Sequence, residues 1–301
     1  MESLEAKDFK GFKVRDTSTG RYLVISSSRI HESLEFMIRE KIEQIEINMS
    51  LGFDDDNISF LRNFLFIKGL TIIHWLIEDI QPIHYLNKLE NLSVNTYCKS
   101  EINFSNFPNL INCTLEWRPK AKSLFNCMSL KNLFLNRYLG KDTSPFATLN
   151  NLEQLSILNS SIENLQGLSN LNKLKSLGLH NVRKLTSLDG IQALTELQDL
   201  AFTGCRKVRS LEQVQTLYNL IKLDFSSNGN IDSIKSVQVL KNLQKIWFYE
   251  STNVIDGDLF PLLELEHLQR VAFMDRDHYS HKRLEIEDYI IARNQFRQSA
   301  H

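Results

Sequence analysis

Thiols and one histidine–aspartate cluster are the side chains in this sequence best suited to chemistry. Cysteines stand at 98, 113, 127 and 205. A cysteine attacks or binds metal as its thiolate, which needs a cationic or metal neighbour to form. These four share no short Cys-x-x-Cys spacing and no regular framework, so neither a zinc site nor a disulfide scaffold is indicated. The stretch DRDHYSHKR (275–283) brings Asp275, Asp277, His278 and His281 close together. Such a group could hold a divalent cation, but His-x-x-His with no further ligands at fixed spacing falls short of a zinc motif. It reads as a solvated loop. Asp54–Asp56 lack the spacing of a calcium loop. Neither a phosphate-cradling G-x-x-x-x-G-K-[ST] nor a dinucleotide glycine fingerprint occurs. The expectation is a protein that is not an enzyme, with no catalytic residues, no metal and no cofactor.

The elements around these residues explain most of them. LNKLKSLGL (171–179) is followed by LTELQDLAF (194–202), LYNLIKLDF (217–225) and LKNLQKIWF (240–248). The same apolar spacing, L-x-x-L-x-x-L-x-L, can be followed through eleven units whose third apolar position runs from Ile45 to Val271. The residue two further on is apolar in each, from Ile47 to Phe273. After each strand the later units continue with apolar residues every third position, as in Leu185, Leu188, Ile191 and Leu194. A period of three is not an α-helical stripe. It suits extended turns and 3₁₀ segments, whose residues stack three apart. Each unit thus reads as a short strand and a tight return, neither able to bury its apolar side alone. Cys113, Cys127 and Cys205 fall on template positions and are assigned to the core, where a thiol is inert. Cys98 lies off the template, and the repeat sets no histidine beside it.

On this pattern, residues 42–273 resemble the leucine-rich repeat superfamily, and the period-three returns resemble its short-repeat bacterial internalin and phosphatase-regulator types. The resemblance implies an α/β solenoid: a curved rod with a parallel β-sheet on the concave face and 3₁₀ or turn segments on the convex face. Members usually carry Asn or Cys three residues after the second strand leucine, bonding successive turns. Cys205 and Asn228 fit, whereas Trp75, Tyr97, Arg118, Tyr138, Ser160, Val182, Ser251 and Arg276 depart from it. The aromatics among these are expected to point inward.

The predicted organisation is an N-terminal hairpin and helix cap (1–41), the solenoid (42–273) and a C-terminal loop and helical cap (274–301). The hairpin is read from alternation around Thr19-Gly20, and the first helix from Leu34, Met37, Ile38 and Lys41. In the last segment Ile286, Tyr289, Ile290 and Arg293 share one helical face, as a cap shielding the final leucine layer requires. A partner-binding arm is the other reading of that helix.

Lys and Arg number 35 against 36 Asp and Glu, a formal net charge of −1. That balance offers no field to attract nucleic acid or an anionic membrane. The longest greasy run, 64–77, is broken by Lys68 and His74 and is too short for a bilayer. The first residues alternate in charge and show no apolar signal core. A cytoplasmic protein is expected, with no membrane, nucleic-acid or small-molecule partner.

Strand alternation aims two residues per unit at the concave face. The columns run small in the middle and large at Phe134 and at Trp247 and Tyr249, which suggests a trough with aromatic anchors. The candidate partner-binding residues are Glu116, Trp117, Phe134, Asn136, Arg137, His180, Thr203, Asp224, Trp247, Tyr249, Glu250 and Met274. Exposed aromatics at no structural position are typical interface anchors. The expected function is non-catalytic recognition of another protein, a toxin or an enzyme, that is blocked by occlusion. A bacterial immunity protein neutralising a toxin is the most specific form. A regulatory or scaffolding subunit, and an internalin-like host-binding effector, are the alternatives.

Overall fold

In the computed structural model, which describes residues 5–299, the chain forms two compact units, Met1–Leu135 and Asn136–His301. The first opens with strands β1 (Lys7–Phe9), β2 (Phe12–Thr17) and β3 (Gly20–Ile25), paired antiparallel in that order. Helix α1 (Ile30–Glu40) follows and ends at Lys41 in the left-handed conformation. Strands β4 (Gln44–Asn48), β5 (Gly69–Ile73), β6 (Asn91–Asn95), β7 (Asn112–Glu116) and β8 (Asn132–Asn136) then come one per repeat. β3 pairs parallel with β4, so the hairpin extends the repeat sheet and covers its first edge. The helix buries Ser33, Phe36 and Met37, with Phe36 stacked on Phe12 at 4.0 Å. Ile38, expected on the inner face of this helix, is exposed, because the sequence here supports two overlapping stripes and the large Phe36 takes the inner one.

The second unit contains β9 (Gln154–Leu158), β10 (Ser176–His180), β11 (Asp199–Thr203), β12 (Lys222–Asp224), β14 (Lys245–Phe248) and β16 (Arg270–Phe273), all parallel. Two-residue strands β13 (Asn230–Ile231) and β15 (Asn253–Val254) pair beside them. Helix α2 (Arg283–Ser299) closes the described chain.

Pairing is in register throughout: Leu155, Leu177, Leu200, Leu223, Ile246 and Val271 lie side by side, as do Ile45, Leu70, Leu92 and Cys113. A slip of one residue would turn each apolar column to the solvent face, so burial fixes this register. The returns are 3₁₀ turns, as their spacing predicts. In one of them the N–H groups of Val214, Leu217 and Leu220 donate to the carbonyls of Leu211, Val214 and Leu217 at 2.9–3.0 Å. All four side chains are buried. Every third backbone donor is thus satisfied locally while its side chain enters the core.

Phe202, Phe225, Phe248 and Phe273 form a parallel stack inside the second unit, with centroid spacings of 5.9, 5.2 and 4.8 Å. Tyr279 ends it edge-on at 5.9 Å, and its hydroxyl accepts the Val254 N–H at 3.0 Å. The stretch read as a solvated loop is exposed at Asp275, Asp277 and His278, as read, and docks on the repeats through Tyr279. His278 Nε2 meets the Val254 carbonyl at 2.9 Å, and Ser280 Oγ accepts the Leu259 N–H at 2.9 Å. Asp275 accepts the Arg283 N–H at 2.7 Å, where α2 begins. α2 packs through Ile286 and Ile290, while Arg293 donates to the carbonyls of Leu265 and Leu268, each at 2.8 Å. Tyr289, expected on that face, is exposed: Ile286, Ile290 and Arg293 follow an i, i+4, i+7 row, and Tyr289 lies beside it.

Candidate functional site

The face of each sheet turned from the leucines carries the residues assigned to partner binding. In the first unit Glu116 ends β7, and Phe134 lies on β8; both are half-buried. Trp117 follows β7 and leans on Phe125, with 5.6 Å between centroids. The remaining nine candidates belong to the second unit.

There, Asn136 begins an amide ladder along the strand ends. Asn159 Nδ2 donates to Asn136 Oδ1 at 3.0 Å, and Asn181 Nδ2 to Asn159 Oδ1 at 3.3 Å. Arg137, Asn159, Asn181, Gly204, Ser227 and Glu250 all adopt positive φ, between 54° and 69°. Asn and Gly suit this left-handed turn; Arg137, Ser227 and Glu250 occupy it at a steric cost. The turn re-aims the chain. The next residue in five of these units enters the core: Tyr138, Ser160, Val182, Cys205 and Asn228 are all buried.

His180 and Thr203 are joined, Nδ1 to Oγ1, at 2.8 Å. The imidazole lies over Gly178, where an added Cβ would stand 2.8 Å from Nε2. The small residue makes room for the ring. Burial holds the His180 pKa below its usual value, and the nearby Asp224 charge opposes that shift. Asp224 accepts both the N–H and the hydroxyl of Ser226, at 3.0 and 2.6 Å. It sits in register beside half-buried Trp247, which in turn neighbours Ala272. One row further on, Tyr249 is 41% exposed and Met274 56% exposed. The Ser227 hydroxyl donates to the Glu250 carboxylate, and Arg276 Nη2 donates to the Thr252 carbonyl at 2.8 Å beneath it. Trp247, Tyr249 and Met274 thus make an apolar patch with Asp224 and Glu250 beside it, seated on the phenylalanine stack.

The four thiols are buried. Desolvation raises the Cys113 and Cys127 thiols and takes Cys205 to about 12. Cys98 is buried as well, against the Glu78 carbonyl at 3.0 Å and Ser100 Oγ at 2.8 Å.

One surface escaped the sequence reading. Trp75 and Tyr97, expected inside, are 38% and 66% exposed and lie against each other, 4.9 Å between centroids with the ring planes tilted by 32°. The inward positions belong to His74 and Thr96. No positive-φ residue follows β5 or β6, and alternation carries on from Ile72 to His74 and from Val94 to Thr96. Arg118, one repeat later, is inward and 3% exposed, donating to Thr96 Oγ1 at 3.2 Å. The turn residues gave no signal of this shift in the sequence, since Arg137, Ser227 and Glu250 take the left-handed turn elsewhere without being Gly or Asn.

No protein-family model matches this chain, and no curated protein matches it. Solved structures do share its architecture. An internalin (inlF) of Listeria monocytogenes is similar with a TM-score of 0.52 and 19% identity, over 78% of this chain and 74% of that one. The functional domain of InlJ from the same species gives 0.50 and 14%, over 76% and 59%. A plant peptide hormone receptor, RGFR1 in complex with RGF2, gives 0.50 and 16%, over 87% and 40%. Among the described residues no helix is long and apolar enough to cross a membrane.

Proposed function

We propose, taking the leucine-rich repeat fold of this chain as premise, that the protein is a non-catalytic recognition protein binding another protein across the outer face of its sheet. The observation that carries this reading is the Trp247–Tyr249–Met274 patch, apolar and accessible on a rigid backbone. Large exposed apolar side chains on a pre-ordered wall bind without a further ordering cost, so a few anchors suffice. Asp224, Glu250, His180 and Thr203 supply polar contacts around them, and Ala201 and Ala272 leave space for a partner's side chains. Asn136 and Arg137 extend this surface along the strand ends, and Glu116, Trp117 and Phe134 form its counterpart in the first unit. The plant receptor of similar fold holds a polypeptide hormone, which supports a polypeptide ligand here.

The mechanism is occlusion: a partner seated on the wall loses access to its own substrate. An antidote that neutralises a toxin inside a bacterial cell uses the surface in this way. The test is affinity capture, identification of the bound protein and titration of the purified pair. Trp247→Glu combined with Tyr249→Ala weakens the complex by about 30-fold or more and leaves the circular dichroism spectrum unchanged. Undiminished affinity removes the assignment of this face. Co-expression decides the role: an antidote restores growth to cells making the partner and stops its turnover, whereas a partner that keeps full activity in the complex marks a scaffold.

A further inference from the structure

The exposed Trp75–Tyr97 pair is a surface of its own, built by the loops after β5 and β6 in the first unit. Neither ring fills a structural position, yet both are held in place. His74, fully buried, accepts the Leu76 N–H at its Nδ1 (3.2 Å), so its Nε2 is the donor to the Phe53 carbonyl (3.0 Å). That clamps the backbone on both sides of Trp75 to the preceding repeat. Tyr97 lies between two anchored neighbours, Thr96 under Arg118 and Cys98 against the Glu78 carbonyl. Leu76, also exposed, completes the apolar patch.

The charge around it is predominantly negative. Asp54, Asp55, Asp56, Glu78, Asp79 and Glu101 are all exposed on the same loop edge. Backbone bonding ties them to the patch. Asp54 adjoins the Phe53 carbonyl that His74 grips, and the Ser100 hydroxyl accepts the Ile80 N–H beside Asp79 at 3.0 Å. Gln81 reaches the Glu101 carbonyl at 3.1 Å. Lys99 is an exposed cation among them, and Lys120, whose carbonyl accepts the Ile102 N–H at 3.2 Å, is another, with the Arg118 guanidinium buried beneath.

We propose that this loop edge is a second interaction surface, distinct from the sheet face, and that its occupant is a basic segment of a partner protein. An arginine of that segment stacks on the Trp75–Tyr97 rings while the carboxylates receive its neighbours. A guanidinium is favoured over an ammonium because it is planar, weakly hydrated and attracted to aromatic faces.

A fluorescein-labelled arginine–glycine peptide tests this by anisotropy with the full chain. Binding is expected at low salt, weakening as salt screens the carboxylates. Trp75→Ala and Tyr97→Ala each reduce affinity by about tenfold. Glu78→Gln with Asp79→Asn reduces it as well without touching the rings, should removal of an aromatic disturb the fold. Asp256→Asn with Asp258→Asn, which neutralises two exposed carboxylates of the second unit, leaves it unchanged. The proposal falls if the peptide fails to bind or if Trp75→Ala binds undiminished. It falls equally if a glutamate–glycine peptide binds as well, or if the second-unit pair loses as much as the first.

Discussion

Asn228 offers the sharpest test of how the second unit is held together. It is fully buried. Its Nδ2 donates to the carbonyls of Phe202 and Phe225 at 2.6 and 2.9 Å, and its Oδ1 accepts the Cys205 N–H at 2.7 Å. The Phe225 carbonyl has a second donor in Thr252 Oγ1 at 2.9 Å. Asn228→Ala therefore strips the side-chain partner from two buried backbone groups, the Cys205 N–H and the Phe202 carbonyl, and leaves the third partly served. At about 1–3 kcal/mol for each orphaned group, the expected loss is about 2–5 kcal/mol. Solenoids open repeat by repeat, so urea unfolding alone can blur the effect. Hydrogen exchange at the Cys205 amide reads it locally, and its protection should collapse with the global loss. Asn228→Asp keeps the acceptor for Cys205 but aims a carboxylate at two carbonyls, so it destabilises at least as much at neutral pH and recovers partly in acid. If Asn228→Ala leaves Cys205 protection and the urea midpoint unchanged, the bridging role is wrong.

Leu177, the second residue of β10 and flanked in register by Leu155 and Leu200, should cost about 2–5 kcal/mol when truncated to alanine, through the cavity it leaves. A change under about 1 kcal/mol in denaturant titration would refute the inward column. His180 sets a pH dependence. Its folded pKa lies below the ordinary 6.5, so the unfolded chain binds its proton more tightly. The corresponding stability is fully present above that ordinary value and is lost as the pH falls from there through the lowered folded value. Thermal melts across this window should show His180→Gln falling less steeply with acid than the parent; identical slopes would exclude a role for the imidazole.

Much of this architecture is legible in the sequence because its period repeats. Burial on one side of a strand fixes alternate residues, and eleven copies of one spacing average out local exceptions. The inward columns, the 3₁₀ returns and the phenylalanine row followed from position alone, and the ladder positions of Cys205 and Asn228 from the family resemblance. Trp247, Tyr249 and Met274 were placed on the outer face by the same alternation.

Tertiary structure decided the places where the count changes by one. After β5 and β6 the inward position shifts from Trp75 to His74, gripped by the Phe53 carbonyl, and from Tyr97 to Thr96, under Arg118, and the aromatics come out as a pair. After β14 the inward position moves the other way, to Thr252. Arg118 enters the core although a charge argues against it, and the polar run 275–283 docks as a cap because Tyr279 finds the open end of the phenylalanine stack. Each outcome depends on which neighbouring coil offers a bonding partner or a space. Spacing determines which face a regular residue takes; only packing between coils determines it at a break in the repeat.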